Sequence, residues 1–152
     1  MSSIHSVCLI ALTMLLPALA CGEDFAHQGQ KALDKKEYDK AIVAFTKAIE
    51  ANPKDVASYR GRGDAYLQLD KFDKALADLN EAIRLNPKDA VAYCKRGITY
   101  SHRDENNKAV SDLTQAIALD AKCVNAFINR AYVYLVQDKY DKALAAIPFN
   151  KV

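Results

Sequence analysis

Apolar and small residues recur at helical spacing over residues 56–69, and Asp55 precedes this run at the position expected for a helix N-cap. The stretch LDKFDK at 69–74 interrupts the pattern with a short turn. A second amphipathic run extends over 72–85 and stops before Pro87, because proline cannot continue a helix. The pattern predicts two antiparallel helices joined by a tight turn.

This two-helix pattern returns along the chain with a period of 34 residues. We call the equivalent positions of successive units a column. Small residues, aromatic residues and alanines each fill one column: Gly29, Gly63, Gly97 and Ala131; Phe25, Tyr59, Tyr93 and Phe127; and Ala41, Ala75, Ala109 and Ala143. A single helix pair buries too little apolar surface to be stable alone, whereas stacked pairs share a continuous core. The sequence therefore predicts an all-α solenoid of antiparallel helix pairs, with units at 22–55, 56–89, 90–123 and 124–152.

The last unit departs from the pattern near its end. Its second helix, DKYDKALAAI, repeats DKFDKALADL at 70–79, but Pro148 then interrupts the helix and Asn150 stands in an alanine column. We expect about three and a half units, a shortened final helix and an exposed apolar edge available for dimerisation or partner docking. A natively truncated or a mis-predicted reading frame explains this ending equally well.

The first residues follow a different pattern. Residues 7–20 carry no charge, are too few to span a bilayer, and end in the small-x-small sequence Ala18-Leu19-Ala20. They predict a signal peptide over 1–20. LPALAC, ending at Cys21, resembles the lipobox of bacterial lipoproteins, which implies a lipid on Cys21 and attachment to a membrane. The alternatives are a plain cleaved signal or an uncleaved anchor. The expected location is the periplasm or the cell-envelope membrane, or outside the cell.

Charge and motif content favour binding over catalysis. The 21 basic and 19 acidic residues are interspersed, which gives no basic patch for nucleic acid. The histidines are isolated, the HRD at 102–104 lacks the asparagine of a kinase catalytic loop, and the GRG at 61–63 lacks the third glycine of a dinucleotide site. We therefore expect no enzyme, no metal and no cofactor.

Two cysteines occupy informative columns of the repeat. Cys123 stands in the N-cap column of Asp55 and Asp89, and Cys94 stands in the column of Arg60. The two positions lie on neighbouring helices near the same end of the stack, so an exported protein could join them in a disulfide. The alternative is a pair of buried free thiols.

The columns described above resemble those of the tetratricopeptide repeat over roughly 22–150. The resemblance implies a right-handed solenoid without enzymatic activity, whose inner face is lined by the first helix of each unit and holds a peptide or a partner protein. Carried over column by column, the predicted partner groove consists of Arg60, Asp64, Val91, Cys94, Lys95, Ile98, Ile128 and Tyr132.

The groove residues change from polar to apolar along the chain. Family members that bind chaperones clamp a C-terminal carboxylate with Lys, Asn, Asn, Lys and Arg. Those columns hold Ala26, Gln30, Gly61, Val91 and Lys95 here, or Arg60, Asp64, Lys95, Asn125 and Asn129 one unit later. Neither set makes a clamp, because a carboxylate would lack its bidentate cationic partners. An apolar or amphipathic partner segment suits the late groove better, unless neighbouring helices cover these side chains.

The prediction is thus an exported protein–protein interaction scaffold that acts in assembly at the cell envelope. One alternative is a carrier or sensor that holds a lipid or another apolar small molecule in its C-terminal groove. Another is a fragment completed by self-association.

Overall fold

The computed structural model describes residues 22–146, and within them the chain forms eight α-helices. The first, α1, covers residues 22–34. The others are α2 (Tyr38–Ala51), α3 (Val56–Gln68), α4 (Phe72–Leu85), α5 (Ala90–His102), α6 (Asn106–Leu119), α7 (Val124–Val136) and α8 (Tyr140–Ala146). The predicted signal segment with Cys21, and the chain from Ile147 through Pro148 to its end, lie outside the described residues.

The helices alternate as the first and second members of the predicted units. From α2 onward, each helix packs against the next along the chain, and the first helices of successive units also meet, α3 with α5 and α5 with α7. The all-α solenoid of antiparallel pairs is therefore confirmed. None of the helices within 22–146 has the length and apolar character needed to cross a membrane.

Aspartate caps fix where two of the first helices begin. The Asp55 carboxylate accepts a hydrogen bond from the Ala57 amide at 3.1 Å, and Asp89 accepts one from the Ala92 amide at 3.0 Å. Both satisfy an amide that has no partner within the helix. Cys123 holds the same position before α7 and makes no side-chain cap hydrogen bond. The predicted N-cap at Asp55 is confirmed.

The turn between the two helices of each unit uses a left-handed residue that is not glycine. Lys36, Asp70, Asp104 and Asp138 have φ between 55° and 60° and are spaced by the repeat period. In each turn the following amide closes back on the preceding helix, as in the 2.9 Å bond from Lys71 N to Tyr66 O. This is a Schellman motif, whose left-handed position is usually glycine because a Cβ is strained there.

Replacing Lys36 by glycine is expected to raise the free energy of unfolding by about 0.5–1 kcal/mol, because it removes the Cβ strain at φ 60°. Lysine is also less suited to this conformation than the aspartates of the other turns. Urea denaturation followed by circular dichroism measures the change. Lys35→Gly, one residue earlier and without a positive φ, is the matched control and should not stabilise the protein. Equal effects of both substitutions would contradict the strain argument.

Apolar side chains between the helix pairs form the core. Leu79 and Leu113 are fully buried beside the alanines of the repeat. A Cβ built on Gly63 would lie 3.0 Å from Leu79 Cγ, and one on Gly97 would lie 2.8 Å from Leu113 Cγ. These separations are at or below the limit of real contacts, so the glycine column is what lets the helices of a unit approach closely.

Candidate functional site

The last unit carries most of the large apolar side chains that the described residues expose. Nine such side chains are exposed, and seven of them lie on α7 and α8: Val124, Ile128, Tyr132, Leu135, Val136, Tyr140 and Leu144. Ile128 and Tyr132 are 56% and 58% exposed and are four residues apart, so they share one face of α7. Isolated apolar residues are normal on a surface, but a cluster of this kind marks a binding surface.

A small cavity lies where α5 faces α7. Its volume is about 250 Å³, and it is lined by Ile98, Ser101, His102, Asp104, Asn129 and Tyr132. The structure thus brings two predicted groove residues, Ile98 and Tyr132, to one depression. Ile98 is half-buried and also packs against the core, whereas Tyr132 projects outward. We call the surface formed by Val91, Ile98, Ile128 and Tyr132 the apolar groove.

The charged residues of the predicted groove form ion pairs, one within the groove and one with an aspartate outside it. Arg60 Nη1 lies 2.6 Å from Asp89 Oδ2, and Lys95 Nζ lies 2.6 Å from Asp64 Oδ2. Each pair is largely shielded from solvent; the Asp89 side chain is only 5% exposed. Both cations are therefore already neutralised before any partner arrives.

Cys94 does not line the groove, which corrects the prediction. Its side chain is 4% exposed and packs in the core beneath α5, with Leu113 and Ala126. Burial, with a smaller contribution from neighbouring Cys123, raises the pKa of the Cys94 thiol to about 12. Cys94 and Cys123 are free thiols in the structure, and the disulfide between them stays a prediction.

The histidine at the end of α5 has a structural contact. The His102 ring stacks on Phe72 of α4, with the centroids 5.7 Å apart. Among residues 22–146, no three histidine, cysteine or acidic side chains are grouped as a metal site would need.

A buried arginine–aspartate pair links the helices of the second unit, and the sequence reasoning missed it. Arg62 on α3 donates two parallel hydrogen bonds of 2.8 Å to Asp78 on α4, and a third of 3.0 Å to Thr46 on α2. The bond to Asp78 raises the pKa of the guanidinium. The pair therefore ties three successive helices together through charge-assisted bonds.

The third unit repeats this arrangement. Arg96 donates bonds of 2.6 and 2.9 Å to Asp112 on α6 and one of 2.7 Å to Asn80 on α4. In both units the arginine and the aspartate are 16 residues apart. That recurrent spacing, inside the repeat, was the signal that could have revealed the pairs.

The fourth unit keeps the arginine but loses the acid. Arg130 stands in the column of Arg96, while Ala146 stands in that of Asp112. Within 22–146, Arg130 forms no ion pair; its Nη1 lies 3.3 Å from Thr114 Oγ1, and its buried Nε has no hydrogen-bond partner. The last unit thus lacks this cross-link, as does the first unit, which has Gln28 and Ala44 at the corresponding positions.

Stacked helix pairs with a partly apolar inner face define an α-helical repeat protein of the binding type. The chain belongs to the tetratricopeptide repeat family. A family described as TPR repeat matches residues 29–70 and 63–104, and a second described as Tetratricopeptide repeat matches 94–147. The comparison with curated protein sequences produced no match.

Solved structures of the same architecture include peptide-bound domains. The first TPR of Spaghetti (RPAP3), bound to the HSP90 peptide SRMEEVD, is 25% identical over 79% of this chain and 95% of its own, with a TM-score of 0.75. MamA is 28% identical over 83% and 69%, with a TM-score of 0.73. The TPR2B domain of yeast Sti1, in complex with pHsp70, is 26% identical over 84% and 99%, with a TM-score of 0.66.

Proposed function

We propose that this protein is an interaction scaffold that binds an apolar or amphipathic segment of a partner protein in the apolar groove. The observation that carries the proposal is the exposure of Ile128 and Tyr132 on one face of α7, directly beside the cavity bordered by Ile98. Side chains of this size bury a large apolar area on binding. The role needs binding alone and no catalytic group.

The chemistry of the partner follows from the charges around the groove. Lys95 and Arg60 are the cations nearest the expected position of a carboxylate, and each already has an aspartate partner at 2.6 Å. A peptide ending in acidic residues would have to displace those partners. Apolar anchors at helical spacing, by contrast, meet Ile128 and Tyr132 without opening an ion pair. This supports an amphipathic segment over an acidic C-terminus.

The size of the cavity bears on the carrier hypothesis. Its volume of about 250 Å³ is that of one large side chain, whereas small-molecule pockets usually span about 300–1,000 Å³. A partner side chain entering between α5 and α7 is therefore favoured over a complete lipid molecule.

The test compares two matched double variants of the full chain. A fluorescein-labelled amphipathic peptide, selected against the protein from a displayed library, is titrated by fluorescence anisotropy. Ile128→Asp with Tyr132→Asp is expected to weaken binding at least about tenfold, because it places charge on the apolar contact surface. Tyr140→Asp with Leu144→Asp makes the same change at equally exposed positions of α8 and should leave the Kd unchanged.

Three results would overturn the proposal. The first is equal loss in both variants, and the second is tighter binding of the peptide SRMEEVD than of the amphipathic peptide. The third is native mass spectrometry that finds acyl lipid bound to the chain and released by the Ile128/Tyr132 variant, which would favour a carrier. Circular dichroism of each variant checks that the helices are intact.

We further propose, on the sequence alone, that the scaffold is exported and acts at the cell envelope. The support is the uncharged segment 7–20 and the lipobox-like ending at Cys21. A lipid on Cys21 would hold the groove near a membrane surface, and the exposed Tyr140 and Leu144 would remain available for a dimer.

A further inference from the structure

One contact between successive units changes its chemistry along the chain. Between the second and third units, Arg60 on α3 reaches Asp89, the residue that caps α5, at 2.6 Å. The same two columns, one period later, hold Cys94 on α5 and Cys123 before α7. Both pairs are 29 residues apart. The ion pair of one junction is thus replaced by two thiols at the next.

The two cysteines lie in the same part of the core. Cys123 packs against the buried cluster that contains Cys94, and its proximity contributes to the raised pKa of the Cys94 thiol. Cys94 is buried, whereas Cys123 is only half-buried and precedes α7 without serving as a side-chain cap. Cys123 thus occupies a position where its counterparts Asp55 and Asp89 are capping aspartates.

We propose that Cys94 and Cys123 are a redox-active pair that forms a disulfide with a low-molecular-weight or protein disulfide as oxidant. The disulfide would join α5 covalently to the start of α7. At the corresponding place in the preceding junction, an ion pair joins α3 to the start of α5. The bond requires the two sulfur atoms to approach to about 2 Å.

The reaction proceeds by thiol–disulfide exchange in two steps. The more accessible Cys123 thiolate attacks one sulfur of the oxidant, forms a mixed disulfide and releases the first thiol of the oxidant. The Cys94 thiolate then attacks Cys123 Sγ and releases the second thiol. Two electrons pass from the protein to the oxidant, and the two cysteine protons end on the released thiols. The raised pKa of buried Cys94 lowers its thiolate fraction, which slows the second step.

The consequence for the groove rests on the proposed function. α5 carries Val91 and Ile98, and α7 carries Ile128 and Tyr132, so the disulfide would tie the two walls of the apolar groove together. A groove held in its binding arrangement loses less freedom when the partner docks. The oxidised protein should therefore bind the labelled amphipathic peptide with a lower Kd than the reduced protein.

Peptide mapping of the full chain tests the bond without any partner. The protein is equilibrated with reduced and oxidised glutathione at several ratios, alkylated and digested with trypsin. The expected product at oxidising ratios is residues 89–95 linked to residues 123–130, with two hydrogens fewer than the separate peptides. Oxidation should also raise the Tm by about 5 °C or more. Alkylation of both thiols, or glutathione on Cys123 alone, at every ratio would overturn the proposal.

A variant that rebuilds the ion pair serves as the matched control. Cys94→Arg with Cys123→Asp copies Arg60 and Asp89, and should remain helical with a Tm that no longer responds to glutathione. Cys123→Ser introduces a side chain that favours the N-cap position, and this variant should likewise lose the response. If the Tm of either variant still shifted with glutathione, the redox response would come from another site. If the disulfide-linked tryptic peptides were found but the Kd for the amphipathic peptide did not change on oxidation, only the proposed effect on the groove would be refuted.

Discussion

Replacement of Asp112 by alanine is expected to lower the free energy of unfolding by about 3 kcal/mol, the low end of the range for breaking a buried ion pair. The Asp112 side chain is 10% exposed and accepts two bonds from Arg96, which itself is 18% exposed. Without the carboxylate, the guanidinium stays buried with Asn80 as its remaining acceptor. Urea denaturation monitored at 222 nm measures the loss.

The chain provides an exposed pair of the same geometry as a control. Arg84 donates two bonds, of 2.8 and 2.6 Å, to Glu81 on the surface of α4. Solvent screens this pair and competes for its hydrogen bonds, so Glu81→Ala should change the urea midpoint far less. Arg96→Met combined with Asp112→Leu should recover most of the stability, because it removes both charges together. If Asp112→Ala were as mild as Glu81→Ala, burial would not be what makes the pair important.

Replacement of Phe45 by alanine is expected to cost about 3–5 kcal/mol, the range for removing a buried aromatic side chain. The Phe45 ring on α2 is 3% exposed and lies between Gly29 on α1 and Gly61 on α3. A Cβ built on Gly29 would lie 2.7 Å from the ring, and one on Gly61 would overlap it. The ring therefore fills a space that two glycines leave open, and its removal leaves a cavity.

The fit between Phe45 and Gly61 predicts a change of sign in a double-mutant cycle. In the natural background, Gly61→Ala should destabilise the protein by about 1–3 kcal/mol, because the methyl group meets the ring. In the Phe45→Ala background, the same substitution should stabilise it by up to about 1 kcal/mol, since alanine is the better helix former and fills part of the cavity. The measurement is again urea denaturation. Equal effects in the two backgrounds would refute the proposed contact.

The arginine–aspartate pairs also explain why the units differ. Units two and three each have a buried pair across their helices, while Arg130 in the fourth unit faces Ala146. The fourth unit, which lacks the pair, also exposes the apolar side chains of α7 and α8. Units two and three, which contain the buried pairs, thus precede along the chain the unit whose surface we propose binds the partner.

The helices, their order and their pairing could all be predicted before the structure was known. Three features specify local structure and repeat register: the period of 34 residues, the aspartates before α3 and α5, and the prolines after α2 and α4. Each of these features is local in sequence or recurs in one column, and each affects only the helix that contains it. They can therefore be recognised without knowing which helices are neighbours. Exposure of Val91, Ile128 and Tyr132 also follows from column position, because a residue's column sets its direction from the helix axis.

Column position alone could not predict which side chains meet. Arg60 and Cys94 share one column, yet the first forms a half-buried ion pair and the second is a buried thiol. The facing column holds aspartate in one case and cysteine in the other. Likewise, GRG at 61–63 has meaning only through the ring of Phe45, the carboxylate of Asp78 and the side chain of Leu79. The periodicity of the sequence determined the helical scaffold. Packing between helices decided which polar side chains pair and which surface stays exposed, because both depend on the residues of two facing columns.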